Sequence, residues 1–186
     1  MTSLPPIPPN LPEPIDDGGC DHLVGMSLPN ISLAATNGKA VQISSLQGLA
    51  ILFAYPMTGK PGTALPDGWC DIPGAAGCTP QNCEYRDNYK RFEELSVDLY
   101  GISTQTNDDQ LEASGRLQLP YRLLSDASLE LTNSLTLPTF MSDEKTLLRR
   151  FTMICENAKI VHCVYPVFPS HADVELVLGW IAQNRG

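Results

Sequence analysis

The stretch GLAILFAYP, Gly48 to Pro56, is apolar almost throughout and ends on a proline. An unbroken apolar run of this length suits a strand buried on both faces, and Pro56, which cannot donate to a ladder, closes it. It is far too short to span a bilayer. Strands covered on both faces lie in sheets with helices above and below, so this run marks the centre of an α/β sandwich. On its N-terminal side, ISLAATNGKAVQISS (Ile31 to Ser45) alternates on both sides of Asn37-Gly38, the strongest short hairpin signal. On its C-terminal side, MTGKPGTALPDGWCDIPGAAG (Met57 to Gly77) has no period and reads as a loop, functional by its length.

Further along, Thr79 and Pro80 read as N-cap and first residue of a helix running to about Leu95, with Tyr85, Tyr89, Phe92 and Ser96 on one stripe. Val97 to Ser103 is a strand, Asn107 opens a helix, YRLLS is another strand and DASLELTNSL a short helix. LLRRFTMIC and KIVHCVYP alternate around ENA and form a terminal hairpin; a tight turn there pairs Arg150 with Tyr165 and Thr152 with Cys163. Ser170 and Asp173 open the last helix in the manner of a capping box. The sum is a mixed central sheet with helices on both faces. Residues 1–19, rich in proline, read as an extended arm ahead of one domain over 20–186.

The chain of 186 residues is 42% hydrophobic and carries a formal net charge of −9, which disfavours nucleic acid and anionic membrane as partners. The N-terminal residues hold neither a basic nor an apolar signal region, so a cytoplasmic location is expected. Of six cysteines, Cys78 and Cys83 lie five positions apart in GCTPQNCEYRD. In a reducing compartment such a pair is read as catalytic or metal-binding, and no compact second pair completes a metal set.

Cys78 stands just before the expected helix start, where free N–H groups and the positive end of the helix dipole favour a thiolate. Helical geometry sets Cys83 about 8.7 Å away between Cα atoms and ~140° around the axis. A disulfide needs roughly 4.4 to 6.8 Å, so the pair bonds only if the first turn unwinds. Oxidation of the first thiol to sulfenic acid, then condensation with the second, fits that order of events.

These residues resemble the peroxiredoxins, and within them the Q-type or bacterioferritin-comigratory group with a lengthened active-site loop. The resemblance runs from about Asp21 to the end and rests on LFAYP, GCTPQNCEYRD, LPYRLLSD, RRFTMIC and VYPVFPSHADVELVLGWI. It implies a thioredoxin-like three-layer sandwich and a thiol peroxidase without metal, haem or other cofactor. Cys78 would be the peroxidatic and Cys83 the resolving cysteine, hydroperoxides the substrates, thioredoxin or a similar dithiol the reductant. A monomer or weak homodimer suffices for an intramolecular pair. RFTMICE matches the family pattern that carries its catalytic arginine, giving that role to Arg150, while alternation turns Arg149 the other way. The family's proline and hydroxyl residue, seven and three positions before the cysteine, are replaced here by Asp71 and Ala75. If the loop projects outward, Pro56 and Thr58 are the substitutes, and Thr58 would hydrogen-bond the thiolate and the peroxide oxygen.

Two other readings use the same thiols: a thioredoxin-like protein disulfide oxidoreductase, whose usual spacing is C-x-x-C, and a redox-sensing module without turnover. Cys20, Cys70, Cys155 and Cys163 are read as structural, since none starts a helix. Arg86 with Asp87 reads as a polar helix face, and the three histidines show no partner spacing.

Overall fold

The computed structural model describes residues 8–185. Residues 1–7 of the proline-rich arm lie outside them. A seven-stranded mixed sheet is built from β1 (Ser32–Ala35), β2 (Ala40–Gln42), β3 (Leu49–Ala54), β4 (Val97–Ser103), β5 (Arg122–Ser125), β8 (Phe151–Glu156) and β9 (Lys159–Val164) in the order β2-β1-β5-β4-β3-β8-β9. β3 and β4 are parallel, as are β4 and β5, whereas β8 runs antiparallel to β3. The helices are α1 (Cys78–Asp87), α2 (Tyr89–Glu94), α3 (Asn107–Leu117), α4 (Glu130–Leu135) and α5 (Asp173–Arg185). None is long and apolar enough to cross a membrane among the described residues.

β3 takes an interior place, between β4 and β8, as its unbroken hydrophobicity demands, and its alternate residues divide between two cores. Ala50, Leu52 and Ala54 join Leu131 and Leu135 of α4 on one face. Leu49, Ile51 and Phe53 join Tyr85 of α1, Phe92 and α5 residues Val174, Val177 and Ile181 on the other. Phe53 stacks on Tyr85 with ring centroids 4.1 Å apart, which ties α1 to the middle of the sheet. This is the expected three-layer sandwich.

Several local expectations are corrected. The helix begins at Cys78 with Gly77 as N-cap, two residues before the Thr79-Pro80 signal, and it breaks at Asn88. The long loop does not project outward. It carries a 3₁₀ turn at Trp69–Asp71 and a small core of its own, in which Trp69, Ala75 and Ala76 are buried against Leu147. The terminal strand LLRRFTMIC is two strands. A separate hairpin, β6 (Thr139–Ser142) with β7 (Lys145–Leu148), ends before Arg149, and β8 starts only at Phe151. Its turn uses Asp143 and Glu144 at φ 44° and 61°, without the glycine or asparagine that marks such turns in a sequence.

The β8–β9 pairing is one residue off the expected register. Glu156 pairs with Lys159 and Cys155 with Ile160, but a bulge then shifts the ladder so that Met153 faces Cys163 and Thr152 faces Val164. Because side chains alternate, that slip sends Cys163 to the opposite face of the sheet from Thr152.

Gly101 lies in β4 between Phe53 and Leu123; a Cβ there would meet Leu123 Cδ2 at 2.6 Å and Phe53 Cζ at 2.8 Å. Both neighbours are fully buried and Phe53 is held by its stack on Tyr85. Gly101→Ala should therefore lower the free energy of unfolding by about 1–3 kcal/mol in urea denaturation, as overpacked cores do.

Candidate active site

Cys78 is the first residue of α1, and the turn that delivers it depends on Gly77. That residue has φ 106°, and a Cβ on it would lie 2.4 Å from Ser170 Oγ, so both the conformation and the close approach call for glycine. Cys78 Sγ sits 3.5 Å from the carbonyl of Ala75 and accepts a 3.3 Å hydrogen bond from Arg150 Nη2. The same guanidinium nitrogen faces the carbonyls of Gly74, Ala75 and Ala76 at 3.3, 3.2 and 3.2 Å. Cys78 and Arg150 are each only 3% exposed. A buried cation is costly unless its donors are met, and here the peptide segment before the cysteine supplies the acceptors.

The other end of the guanidinium is held by a relay that crosses three elements. Arg150 Nη1 donates to Gln81 Oε1, and Gln81 Nε2 donates to Asp173 Oδ2 at 2.7 Å. Thr152 Oγ1 donates to the Asp173 carboxylate as well, at 2.8 and 2.9 Å. A neutral amide between a guanidinium and a carboxylate has one orientation that satisfies both, oxygen to the cation and nitrogen to the anion. Asp173 is wholly buried, and that burial raises its carboxyl above the ordinary range; the bonds from Gln81 and Thr152 and the charge of Arg150 work the other way.

Cys83 lies in the same helix, half-buried, its thiol pushed up by burial against the opposing charge of Arg86. All six cysteines are free. With both in α1, the Cα separation is about 8.7 Å, beyond disulfide reach. The helix is pinned between them: Asn82 Nδ2 donates to the Cys78 carbonyl, and the Tyr121 hydroxyl donates to the Asn82 carbonyl at 2.7 Å.

Thr58 does not stand where the sequence reading put it. Its hydroxyl donates to Gln105 Oε1 at 3.2 Å, its N–H does the same at 2.9 Å, and it makes no bond to Cys78 among the described residues. The ordered loop keeps Ala75 beside the sulfur, so its carbonyl, not a threonine hydroxyl, occupies that position. Arg149 and Arg150 both precede β8 and both line one narrow cleft, but only Arg150 bonds Cys78 among the described residues. Cys20, Cys155 and Cys163 belong to the core on the far face of the sheet, and burial pushes Cys163 up to about 12 and the other two further still. Cys70 is packed beside Trp69 in the loop.

From the sequence Gln81 has no role, Thr152 only a place in the terminal hairpin and Asp173 only a place in a helix cap. The available signal was position: Gln81 falls one turn after Cys78, and Thr152 two residues after Arg150 on the same side of a strand. Asp173 looked like a cap, yet its carboxylate turns inward.

The Redoxin family model matches residues 23–178. Among curated proteins, Peroxiredoxin bcp1 of Schizosaccharomyces pombe is 30% identical over 130 residues, covering 67% of this chain and 58% of that protein. Peroxiredoxin Q, chloroplastic, of Oryza sativa subsp. japonica is 27% identical over 142 residues, covering 76% of this chain and 58% of that protein. The match thus spans 58% of the length of these relatives. Among solved structures, Peroxidoxin BcpB from Mycobacterium tuberculosis superposes with a TM-score of 0.69 at 23% identity, over 88% of this chain and 98% of that one. Xanthomonas campestris Peroxiredoxin Q gives 0.68 at 14% identity, over 86% and 96%. These structures share the thioredoxin-like sandwich.

A carboxyl raised in the folded chain keeps its proton at pH values where the unfolded chain has lost it. Its contribution to stability is full below the unfolded value, near pH 4, and is lost as pH rises through the raised folded value. Asp173→Asn has no such titration. The unfolding free energy of the wild type minus that of the variant should fall as pH increases from about 4 and then level off, measured by urea denaturation across pH. A difference independent of pH would contradict the assignment.

Proposed function

Because the chain belongs to the Redoxin family, we propose that it is a thiol-dependent peroxidase acting on hydrogen peroxide and organic hydroperoxides, with Cys78 as its peroxidatic and Cys83 as its resolving cysteine. The observation that carries this reading is the 3.3 Å contact of the Arg150 guanidinium with Cys78 Sγ at the start of a helix. A guanidinium touches a sulfur carried by the first residue of a helix, a setting typical of reactive cysteines.

In the first step the Cys78 thiolate attacks the distal oxygen of ROOH. The S–O bond forms as the O–O bond breaks, the sulfur is oxidised to sulfenic acid, and RO⁻ leaves with a proton from solvent as ROH. Arg150 is placed to hold the negative charge as it passes from sulfur to the leaving oxygen. In the second step α1 unwinds at its start and the Cys83 thiolate attacks the Cys78 sulfur, forming the S–S bond as the S–O bond breaks; the hydroxide released takes a proton from solvent and leaves as water. A dithiol donor of the thioredoxin type then takes up the disulfide and returns both thiols. Since both sulfurs belong to one helix, a monomer is sufficient. The many free buried thiols fit a reducing compartment such as the cytoplasm.

Peroxide-dependent oxidation of thioredoxin tests the reading. Cys78→Ser should abolish turnover, and Cys83→Ser should consume one equivalent of peroxide and stop at sulfenic acid. Arg150→Lys keeps the charge but loses the fork that spans sulfur, carbonyls and Gln81, and its kcat/KM for peroxide should drop by roughly 10²-fold. Unchanged turnover in Cys78→Ser would refute the proposal.

A further inference from the structure

The proline-rich residues ahead of the sheet are seated on the candidate active site. Leu11 packs into the small core formed by Trp69, Ala75 and Ala76. Pro14 lies over Gly74, close enough that an added Cβ there would meet its Cγ at 3.4 Å. Asp17 Oδ1 accepts a 2.7 Å hydrogen bond from the Tyr165 hydroxyl. The segment thus crosses the peptides whose carbonyls hold Arg150.

What it covers is the approach to Arg150, whose guanidinium holds the sulfur. Pro14, Pro73, Phe140, Tyr165 and Pro166 wall a narrow cleft that opens on Arg150. Cys78 does not line that cleft, and at 3% exposure it offers a bulky reagent no direct access. The segment is also built to move as a piece. Pro12 and Pro14 stiffen it. Gly18, at φ 74°, precedes the buried Cys20 and gives a point to turn about. Glu13, Ile15, Asp16 and Asp17 are exposed, so few contacts hold the segment down.

We propose that residues 11–17 form a gate over Cys78 that sets the size of hydroperoxide admitted: seated, it passes hydrogen peroxide, and it must lift for an organic hydroperoxide. This rests on the peroxidase reading. Tyr165 and Pro14 are the specificity-determining side chains, Leu11 and Asp17 the anchors.

The test is the double variant Leu11→Ala, Asp17→Ala, with two readouts. The first is the ratio of kcat/KM for cumene hydroperoxide to that for hydrogen peroxide. For a peroxide this constant reports only steps up to oxidation of the first cysteine, so changes in resolution do not enter. Losing one exposed hydrogen bond and one apolar anchor should raise the ratio roughly tenfold. The second is alkylation of Cys78 in the reduced protein by iodoacetamide and by pyrene maleimide, followed on the Cys78 peptide by mass spectrometry. The bulky-to-small ratio should rise by a similar factor. Unmoved ratios in both readouts overturn the gate. If neither protein turns over peroxide, the peroxidase reading fails, and the alkylation ratio alone still decides whether the arm is a gate.

Discussion

A guanidinium buried against a sulfur is the constraint on which the rest of the structure turns. Arg150 has five donors to satisfy and almost no water to satisfy them. Its environment answers with backbone: three successive carbonyls, Gly74 to Ala76, curve around Nη2 and bring Cys78 to the same nitrogen. That curvature requires the positive φ of Gly77 and leaves no room for a side chain beside Ser170. The position of the thiol is therefore a consequence of how one arginine is solvated by the chain. The same arrangement explains why the long loop is ordered. Its end is a wall of the arginine's cavity, and Trp69 with its neighbours braces that wall from behind.

The relay through Gln81 to Asp173 makes the site a joint between α1, β8 and α5. A single buried cation and a single buried anion are kept apart by an amide, which spreads their attraction over bonds with fixed direction. On the proposed mechanism this joint must hold α1 during the attack on peroxide and release its first turn afterwards. The bonds from Asn82 and Tyr121 belong to the helix between the two cysteines, so unwinding has to break them. The reach needed is small, since the cysteines are five positions apart and five extended residues span about 17 Å, roughly three times the Cα separation of a disulfide.

The centre of the fold was legible because β3 is apolar at every position and can lie only between two layers. Val97 to Ser103 and the hairpin around Asn37-Gly38 were readable for similarly local reasons. The Thr79-Pro80 signal misplaced the start of α1, since a tertiary contact with Ser170 and Arg150 overrides the local cap. A bulge at Ile154/Cys155 carries no mark in the sequence, yet it changes the face on which Cys163 lies. At the site, Cys78 and Arg150 stood out by motif. Thr58 was misjudged because the loop after it folds back as structure of its own. Gln81 and Asp173 escaped notice because what they do depends on burial and on partners 69 and 92 positions away along the chain.

The central claim is that one sulfur reacts first and that its partner lies in the same helix. Disulfide mapping by mass spectrometry after a single equivalent of hydrogen peroxide, with the protein dilute enough to exclude encounters between chains, tests it most directly. The account predicts one new bond, between Cys78 and Cys83, with Cys20, Cys155 and Cys163 still reduced. A disulfide that leaves Cys78 free, or a Cys78 that remains a thiol while peroxide is consumed, would contradict it.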